Sequence, residues 1–272
     1  MIDSSQHPLL DGNPPDWASG WGQDAYGVFV EFTCRGVRQR MRWIPPGRFK
    51  MGSPKKEPER FRDEGPQHEV TFTQGFWMFD TACTQALWQA VMGTNPSRFT
   101  AADRPVEQVS FEDVHDFIDT ISKLIPGLQL TLPSEAQWEY ACRAGTTAPF
   151  SFGTMISPKQ VNYDGNFPYP GGQKGEYRQQ TVPVASLPPN SWGLFEMHGN
   201  VWEWCLDHEY NYGGAPDDGS ARFRADAKAV ARRVVRGGSW DSLACTVRSA
   251  MRRWFEPAHR FDDLGFRCVR VP

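Results

Sequence analysis

The sequence predicts a single mixed α+β domain with short strands, few helices and long connections. Helical patterns fall in the first half of the chain, whereas the second half alternates turn residues with aromatic strand segments. The 272 residues include 11 Trp, 25 Gly and 22 Pro, a composition typical of irregular segments that large aromatic side chains anchor. We expect residues 1–24 to form an N-terminal extension and residues 25–272 to form the domain.

Strand patterns dominate the first part of the predicted domain. Residues 27–34 alternate as a strand does, and residues 38–44 follow as its partner. Residues 54–65 carry eight charged side chains and are expected to be a solvated loop, after which residues 70–73 are predicted to be an edge strand.

Three helices are predicted with their ends. Thr84 caps a helix that Gly93 terminates, and Ser110 begins a second helix, with apolar residues at helical spacing, that stops before Pro126. Residues 135–143 form the third, because Ser134 and Gln137 make a capping-box pattern. A further short helix is considered at residues 225–231.

Charge and hydropathy exclude several classes of function. A net charge of −3 and a pI of about 6.1 give no broad cationic surface, so nucleic-acid binding is not expected. No apolar run reaches the roughly 18 residues of a membrane span, and the N-terminus lacks an apolar signal segment. We therefore expect a cytoplasmic protein without a membrane partner. The six cysteines are dispersed, with no C-x-x-C pair, and are expected to be reduced.

Four glycine- and aromatic-rich strings occur in one order along the chain. They are Leu132-Pro133-Ser134-Glu135-Ala136-Gln137-Trp138-Glu139-Tyr140-Ala141, His198-Gly199-Asn200-Val201-Trp202-Glu203-Trp204, Arg236-Gly237-Gly238-Ser239-Trp240 and Leu264-Gly265-Phe266-Arg267-Cys268. Together they resemble the formylglycine-generating enzyme superfamily, over residues 42–271. The resemblance implies a C-type-lectin-like fold: a small twisted antiparallel sheet, flanking helices and much irregular structure. It also implies that residues 236–240 and 265–270 are adjacent central strands, with a ligand-facing loop between them.

A glycine bend between two acids is a candidate calcium site, because Ca²⁺ takes carboxylate and carbonyl oxygens. The resemblance implies the side chains of Glu196 and Glu203 and the carbonyls of Gly199 and Val201 as ligands. The alternative for Glu203 is an ion pair with a buried arginine such as Arg236 or Arg267. His198, in the same bend, is expected to be a hydrogen-bonded structural residue.

A second structural Ca²⁺ site is implied by the resemblance alone. It maps onto the side chains of Asn162 and Glu176 and the carbonyls of Tyr163 and Arg178.

The family's oxidase chemistry requires a pair of cysteines that bind copper, since soft thiolates suit Cu(I). The resemblance places this pair two and seven residues beyond the aromatic residue of the Gly-Gly-Ser string, where this chain has Ser242 and Val247. Copper is therefore not expected. If the chain is an enzyme, Cys245 and Cys268 are its candidate catalytic residues.

The segment 241–263 is the candidate ligand-binding surface, because clustered aromatic residues with arginines are typical of binding hot spots. Arg248 and Arg252 are expected to be structural and to reach carboxylates or carbonyls beneath the segment. The rings of Trp254 and Phe261 have an alternative role, in packing the segment onto the core. The candidate ligand-binding residues are Asp241, Ser242, Leu243, Thr246, Met251, Arg253, Trp254, Phe255, His259 and Phe261. We expect Asp241, Leu243, Trp254, Phe255, His259 and Phe261 to gather at one exposed patch.

Two functional hypotheses remain. The first is a non-catalytic module that binds a protein or small ligand through the 241–263 surface, as in the diversified proteins of retroelement systems, which this architecture resembles. The second is a divergent metal- and oxygen-dependent oxidase acting on a peptide cysteine or a small thiol. No sequence feature indicates an oligomeric state.

Overall fold

The computed structural model describes His7, Leu9 and residues 12–223 and 231–271. The helix considered at residues 225–231 lies outside these residues, except for Ala231. The strands, numbered along the chain, are β1 (Gly20–Asp24), β2 (Gly27–Cys34), β3 (Val37–Ile44), β4 (Gly47–Met51), β5 (His68–Phe72), β6 (Phe76–Phe79), β7 (Trp202–His208), β8 (Arg233–Arg236), β9 (Arg252–Phe255), β10 (Leu264–Gly265) and β11 (Val269–Arg270). The helices are α1 (Gln85–Met92), α2 (Phe111–Leu124) and α3 (Glu135–Arg143).

A five-stranded antiparallel sheet, in the order β1-β2-β3-β6-β11, is built mostly from the N-terminal part of the chain. The predicted hairpin is confirmed as β2 and β3, which pair from Phe29↔Arg42 to Cys34↔Val37. β1 pairs with β2 and Trp17 is buried in the main core, so the boundary expected at residue 24 falls inside the packed structure.

A four-stranded mixed sheet, in the order β10-β7-β8-β9, carries the C-terminal part of the chain. β7 pairs with β8 antiparallel and with β10 parallel. The expectation that residues 236–240 and 265–270 form adjacent strands is therefore wrong. β7 separates β8 from β10, and β11 belongs to the other sheet. The interval between β8 and β10 holds the edge strand β9 and a 3-10 turn at Ala244–Val247 rather than one loop.

The three predicted helices are confirmed with their caps. Thr84 Oγ1 accepts the Leu87 N–H, and Gly93 ends α1 in the left-handed conformation at φ 78°. Ser110 and Asp113 form a reciprocal capping box on α2, as Ser134 and Gln137 do on α3. In the described residues, none of the helices is long and apolar enough to cross a membrane.

The main core lies between the five-stranded sheet and helices α1 and α2. The Trp88 ring stacks on Phe117 with centroids 5.4 Å apart, and Phe266 from the C-terminal string contacts both rings. The last string of the sequence therefore packs against the first two helices.

The charged loop at residues 54–65 differs from its prediction. The carboxylates of Glu57 and Glu64 are buried and bind Arg248, whose Nη1 lies 2.5 Å from Glu57 Oε1 and whose Nη2 lies 2.5 Å from Glu64 Oε1. Burial would raise the pKa of Glu64, but the Arg248 guanidinium outweighs it and holds that pKa below its usual value. Two acids of the loop thus bind an arginine more than 180 residues away along the chain.

Replacing Arg248 by Met tests this anchor. Both carboxylates would lose their cationic partner while remaining buried, so the free energy of unfolding is expected to fall by about 3–5 kcal/mol. Equilibrium denaturation with urea measures it. The control is Arg253→Met, whose side chain is exposed and whose effect is expected to stay within about 0.5 kcal/mol. Equal losses in the two variants would contradict the assignment.

Candidate functional site

The candidate site is the segment 241–263, which buried arginines attach to helix α3. Glu135 and Glu139 lie one turn apart on α3. Arg252 binds Glu135 through Nε–Oε1 at 2.7 Å and Nη2–Oε2 at 2.6 Å, and its Nη1 donates to the Tyr210 carbonyl. Arg236 Nη2 lies 2.5 Å from Glu139 Oε2. The structural roles expected for Arg248 and Arg252 are confirmed.

Arg236 also fixes the backbone of the segment directly. Its Nη1 donates to the carbonyls of Ala250 and Met251, and its Nη2 donates to the Ser249 carbonyl. Gly238 allows the turn before the segment, because its φ is 72° and a Cβ there would lie 2.5 Å from Val247 Cγ1. A side chain at position 238 would therefore collide with the segment, which accounts for the glycine there.

An aromatic patch stands on this anchored backbone. It consists of Arg253, Phe255, His259 and Phe261. The three ring centroids lie 5.1–6.0 Å from one another, and the Arg253 guanidinium lies 5.5 Å from the Phe255 centroid. The Phe261 side chain is 39% exposed. Phe255 reaches inward as well, and its centroid lies 6.3 Å from that of the buried Trp204.

Trp254 does not join the aromatic patch. β9 is a strand, so successive side chains point to opposite faces, and Trp254 lies on the face of Arg252 rather than that of Phe255. Its ring packs near the guanidiniums of Arg232 and Arg252, at 5.6 and 5.9 Å. The expected single patch containing both rings is therefore wrong, because the prediction treated this stretch as a loop.

Asp241 and Leu243 are exposed and follow the buried Trp240 along the chain. With the half-buried Tyr177 they form a second group, which we call the Trp240 patch and define as Tyr177, Trp240, Asp241 and Leu243. The Tyr177 ring stacks on Trp240 with centroids 6.3 Å apart, and its hydroxyl donates to Asp241. Trp240 Nε1 donates to the carbonyl of Asp262, the neighbour of Phe261. Asp262 thus links the two patches. Tyr177 was not a candidate from sequence, since it lies more than 60 residues away along the chain.

Two predicted ligand-binding residues, Ser242 and Met251, point inward, whereas Thr246 is only half-buried. Ser242 is buried and its Oγ accepts the Ser239 N–H, Met251 lies in the main core, and the Thr246 hydroxyl donates to the Leu243 carbonyl. Burial leaves Ser242 and Met251 no surface with which to contact a ligand, so we remove both from the candidate surface.

The candidate catalytic cysteines are shielded from solvent to different degrees. Cys268 is completely buried, and Cys245, which lies within the 3-10 turn, is partly exposed. Burial raises the pKa of both thiols. A raised pKa disfavours the thiolate, which is the nucleophile and metal ligand.

The bend at residues 196–203 is satisfied by protein donors. Glu203 Oε1 and Oε2 each lie 2.7 Å from a nitrogen of Arg267, and Trp138 Nε1 also donates to Oε2. The Glu196 carboxylate accepts the N–H groups of Ala185 and Leu187. The sequence left two partners open for the Glu203 carboxylate, a calcium ion or a buried arginine. In the structure Arg267 is that buried arginine. The Gly199 carbonyl, which the resemblance gives as a calcium ligand, accepts the Val201 N–H. Calcium binding at this bend stays a prediction.

The second predicted calcium site meets this bend from the other side. Gly199 forms a parallel bridge with Asn162, and a Cβ on Gly199 would lie 2.1 Å from the Asn162 carbonyl oxygen. The buried Asn162 Oδ1 has no hydrogen-bond partner among the described residues. Tyr163 is buried beside it, whereas the Glu176 carboxylate is largely exposed and pairs with Arg178 at 3.0 Å.

His198 has the structural role that was expected. Its Nδ1 donates to the Val247 carbonyl at 2.7 Å, and its Nε2 accepts the Ser151 N–H at 3.0 Å. Burial lowers the pKa of His198 to about 4, so the ring is neutral at physiological pH.

Comparison with known proteins identifies the family. A profile of the sulfatase-modifying factor enzyme 1-like domain matches residues 29–272. The chain belongs to this family. The formylglycine-generating enzyme of Mus musculus is 31% identical over 210 residues, which cover 74% of this chain and 53% of that protein. The chain thus spans about half the length of that enzyme.

Two solved structures of family-like proteins share the fold. PvdO from Pseudomonas aeruginosa superposes with a TM-score of 0.74 at 30% identity, covering 94% of this chain and 99% of PvdO. Treponema denticola variable protein 1 superposes with a TM-score of 0.73 at 26% identity, covering 90% of this chain and 99% of that protein. The predicted α+β fold of the formylglycine-generating enzyme type, which is C-type-lectin-like, is confirmed.

The buried carboxyls near this site predict a dependence of stability on pH. Burial raises the pKa of Glu107, Glu196 and Asp207 to about 7 in each case. The pKa values of these three carboxyls are higher in the folded state than in the unfolded chain, so the folded state binds more protons. These bound protons stabilise the folded state, and that stabilisation is lost as the pH rises through 7. His198 acts with the opposite sign, but mainly below its unfolded pKa of 6.5.

We expect the free energy of unfolding to fall by about 2 kcal/mol between pH 6.5 and 8. Urea denaturation at several pH values measures this, and Glu196→Gln is expected to flatten the slope because it removes one titrating carboxyl. Stability that is flat or rising over this interval would contradict the raised pKa values.

Proposed function

We propose that the chain is a non-catalytic binding module that contacts a protein or small ligand through the aromatic patch and the Trp240 patch. The anchoring of their backbone carries this proposal. Arg236, Arg248 and Arg252 hold segment 241–263 by buried ion pairs, while other side chains of the segment remain exposed. Exposed side chains on a fixed backbone can bind without first paying for ordering of the segment.

The chemistry of the two patches supports recognition. Aromatic rings with an adjacent guanidinium are typical of residues that dominate binding energy. The aromatic patch has the Arg253 guanidinium over the Phe255 ring, and the Trp240 patch adds a stacked tyrosine and an exposed carboxylate. A partner with apolar groups and at least one hydrogen-bonding group fits this combination.

The similarity to Treponema denticola variable protein 1 supports a related function, in which this surface tolerates sequence variation. The alternation of exposed and buried residues along the segment fits such tolerance. Asp241, Leu243 and Arg253 are exposed, whereas Ser242 and Arg252 between or beside them are buried. Changes at the exposed positions would leave the anchors unaltered.

A paired library tests this proposal. One library randomises Asp241, Leu243, Arg253, His259 and Phe261, and the control library randomises the buried residues Ser242, Arg248, Ser249, Met251 and Arg252. Both are displayed on yeast and challenged with protease. We expect most members of the first library to resist digestion and few members of the second, because buried packing and ion pairs are lost only in the second. Similar losses in both would contradict the proposal.

An activity assay separates binding from the alternative oxidase function. Ser242 and Val247 stand where the family resemblance places the copper-binding cysteines, and burial raises the pKa of Cys245. We expect no formylglycine when the protein is incubated with a cysteine-containing sulfatase-type peptide, copper, reductant and oxygen. A mass-spectrometric aldehyde product that disappears in Cys245→Ser would establish the oxidase instead.

We also propose a structural Ca²⁺, supported best at the Asn162 site. The buried, unpartnered Asn162 Oδ1 and the exposed Glu176 carboxylate are oxygen donors of the kind that Ca²⁺ takes. At the 196–203 bend, by contrast, protein donors already occupy the carboxylate oxygens of Glu196 and Glu203. A bound cation would give the buried Asn162 Oδ1 a partner and would add a second counter-charge to Glu176, which already pairs with Arg178.

Thermal melts test the metal. Ca²⁺ is expected to raise the melting temperature by several degrees and a chelator to reverse the rise, because a ligand of the folded state stabilises it. Asn162→Ala should remove the response, whereas Glu196→Gln, at the other bend, should retain it. Identical melts of the unaltered protein with and without Ca²⁺ would refute the proposal.

A further inference from the structure

The loop at residues 54–65 separates its charges by sign. Its buried acids, Glu57 and Glu64, face inward and bind Arg248. The cationic side chains of Lys55, Arg60 and Arg62 line a surface cleft of about 580 Å³ together with Ser53, Pro54, Gly65, Pro66 and Gln67. The cleft lies outside segment 241–263 and is lined by three cations and no carboxylate.

Arg60 is held in place within this cleft. Its Nε donates to Ser53 Oγ at 3.1 Å, and the Ser53 hydroxyl is hydrogen-bonded to the buried Glu64 carboxylate. The chain Arg248, Glu64, Ser53 and Arg60 therefore links the core to the cleft. The two Nη groups of Arg60 have no hydrogen-bond partner in the described parts of the chain, and Arg60 is only half-buried, which leaves them available for a ligand.

The other acids of the loop do not neutralise the cleft. Within the described residues, no ion pair forms at Lys55, Arg60 or Arg62. Glu59 is exposed outside the lining, and its carbonyl accepts from Arg248. Asp63 interacts with Arg252, and its carbonyl accepts from that residue. The cations thus face the cleft without a counter-charge from their own loop.

We propose that this cleft binds a tetrahedral oxyanion, a phosphate or sulfate group, between Arg60, Arg62 and Lys55. A guanidinium donates two parallel hydrogen bonds to such a group, and a lysine adds a compact charge. The volume of the cleft is larger than that of a single phosphate or sulfate ion, and it lies within the usual range for ligand pockets, about 300–1,000 Å³. The oxyanion is therefore carried on a larger molecule, as a phosphate or sulfate ester.

Isothermal titration of the full chain in a buffer free of phosphate and sulfate tests the site. The probes are inorganic phosphate, inorganic sulfate and O-phosphoserine. We expect saturable binding of all three, with O-phosphoserine tighter than inorganic phosphate. The Arg60→Gln/Arg62→Gln variant is expected to bind at least about tenfold more weakly, since it loses two charged donors.

The control variant, Arg48→Gln/Lys159→Gln, removes the same net charge from exposed positions outside the cleft and is expected to bind as the unaltered protein does. Arg60→Lys, which keeps the charge and loses the paired donors, should bind with intermediate affinity. Thermal melts check that each variant is folded, and Lys55→Gln gives a second test if the double variant is not. No saturable binding, or equal weakening in the cleft and control variants, would overturn the proposal.

Discussion

Buried arginine side chains hold the C-terminal part of this chain against the rest of the molecule. Four arginines from the C-terminal part of the described chain are at most 2% exposed: Arg236, Arg248, Arg252 and Arg267. Each faces a carboxylate that is itself buried. Arg236 pairs with Glu139, Arg248 with Glu57 and Glu64, Arg252 with Glu135, and Arg267 with Glu203. Removing either partner would leave an uncompensated charge in the interior, which costs several kcal/mol. The positions of these ion pairs therefore fix the path of the backbone, even where the chain has little regular structure.

This constraint explains how an irregular segment can present a defined surface. Backbone carbonyls at residues 249–251 are bound by Arg236, and the same arginine reaches α3 through Glu139. The backbone beneath the aromatic patch is therefore held by Arg236 rather than by contacts among the rings, of which Phe261 is exposed and Phe255 and His259 are half-buried. The loop at residues 54–65 uses the same device, because its buried acids bind Arg248 and its cations are left at the surface.

Local patterns in the sequence were sufficient where the stabilising contacts are local. The capping residues Thr84, Ser110 and Ser134 bond within three residues of themselves, so the helix starts could be predicted without knowledge of the fold. The sequence predicted that Arg248 and Arg252 would contact carboxylates or carbonyls. It could not predict which ones, since Glu57 lies 191 residues from Arg248 and the composition of its loop predicts a solvated loop.

The candidate surface was predicted in part for the same reason. Treating residues 241–263 as a loop hid the alternation of β9, which separates Trp254 from Phe255, and hid the burial of Met251. The stacking of Tyr177 on Trp240 joins segments with no shared local pattern. Glu203 could be assigned only to two alternatives, a cation or an arginine, because both satisfy a buried carboxylate beside a glycine bend.

A double-mutant cycle on Arg267 and Glu203 tests whether these ion pairs organise the fold. The free energy of unfolding would be measured by urea denaturation for Arg267→Met, for Glu203→Gln and for the double variant. A coupling energy above about 2 kcal/mol is expected, because the bidentate pair is buried on both sides. A coupling below about 0.5 kcal/mol would show that the two residues stabilise the protein independently, and it would contradict the organising role of the buried arginines.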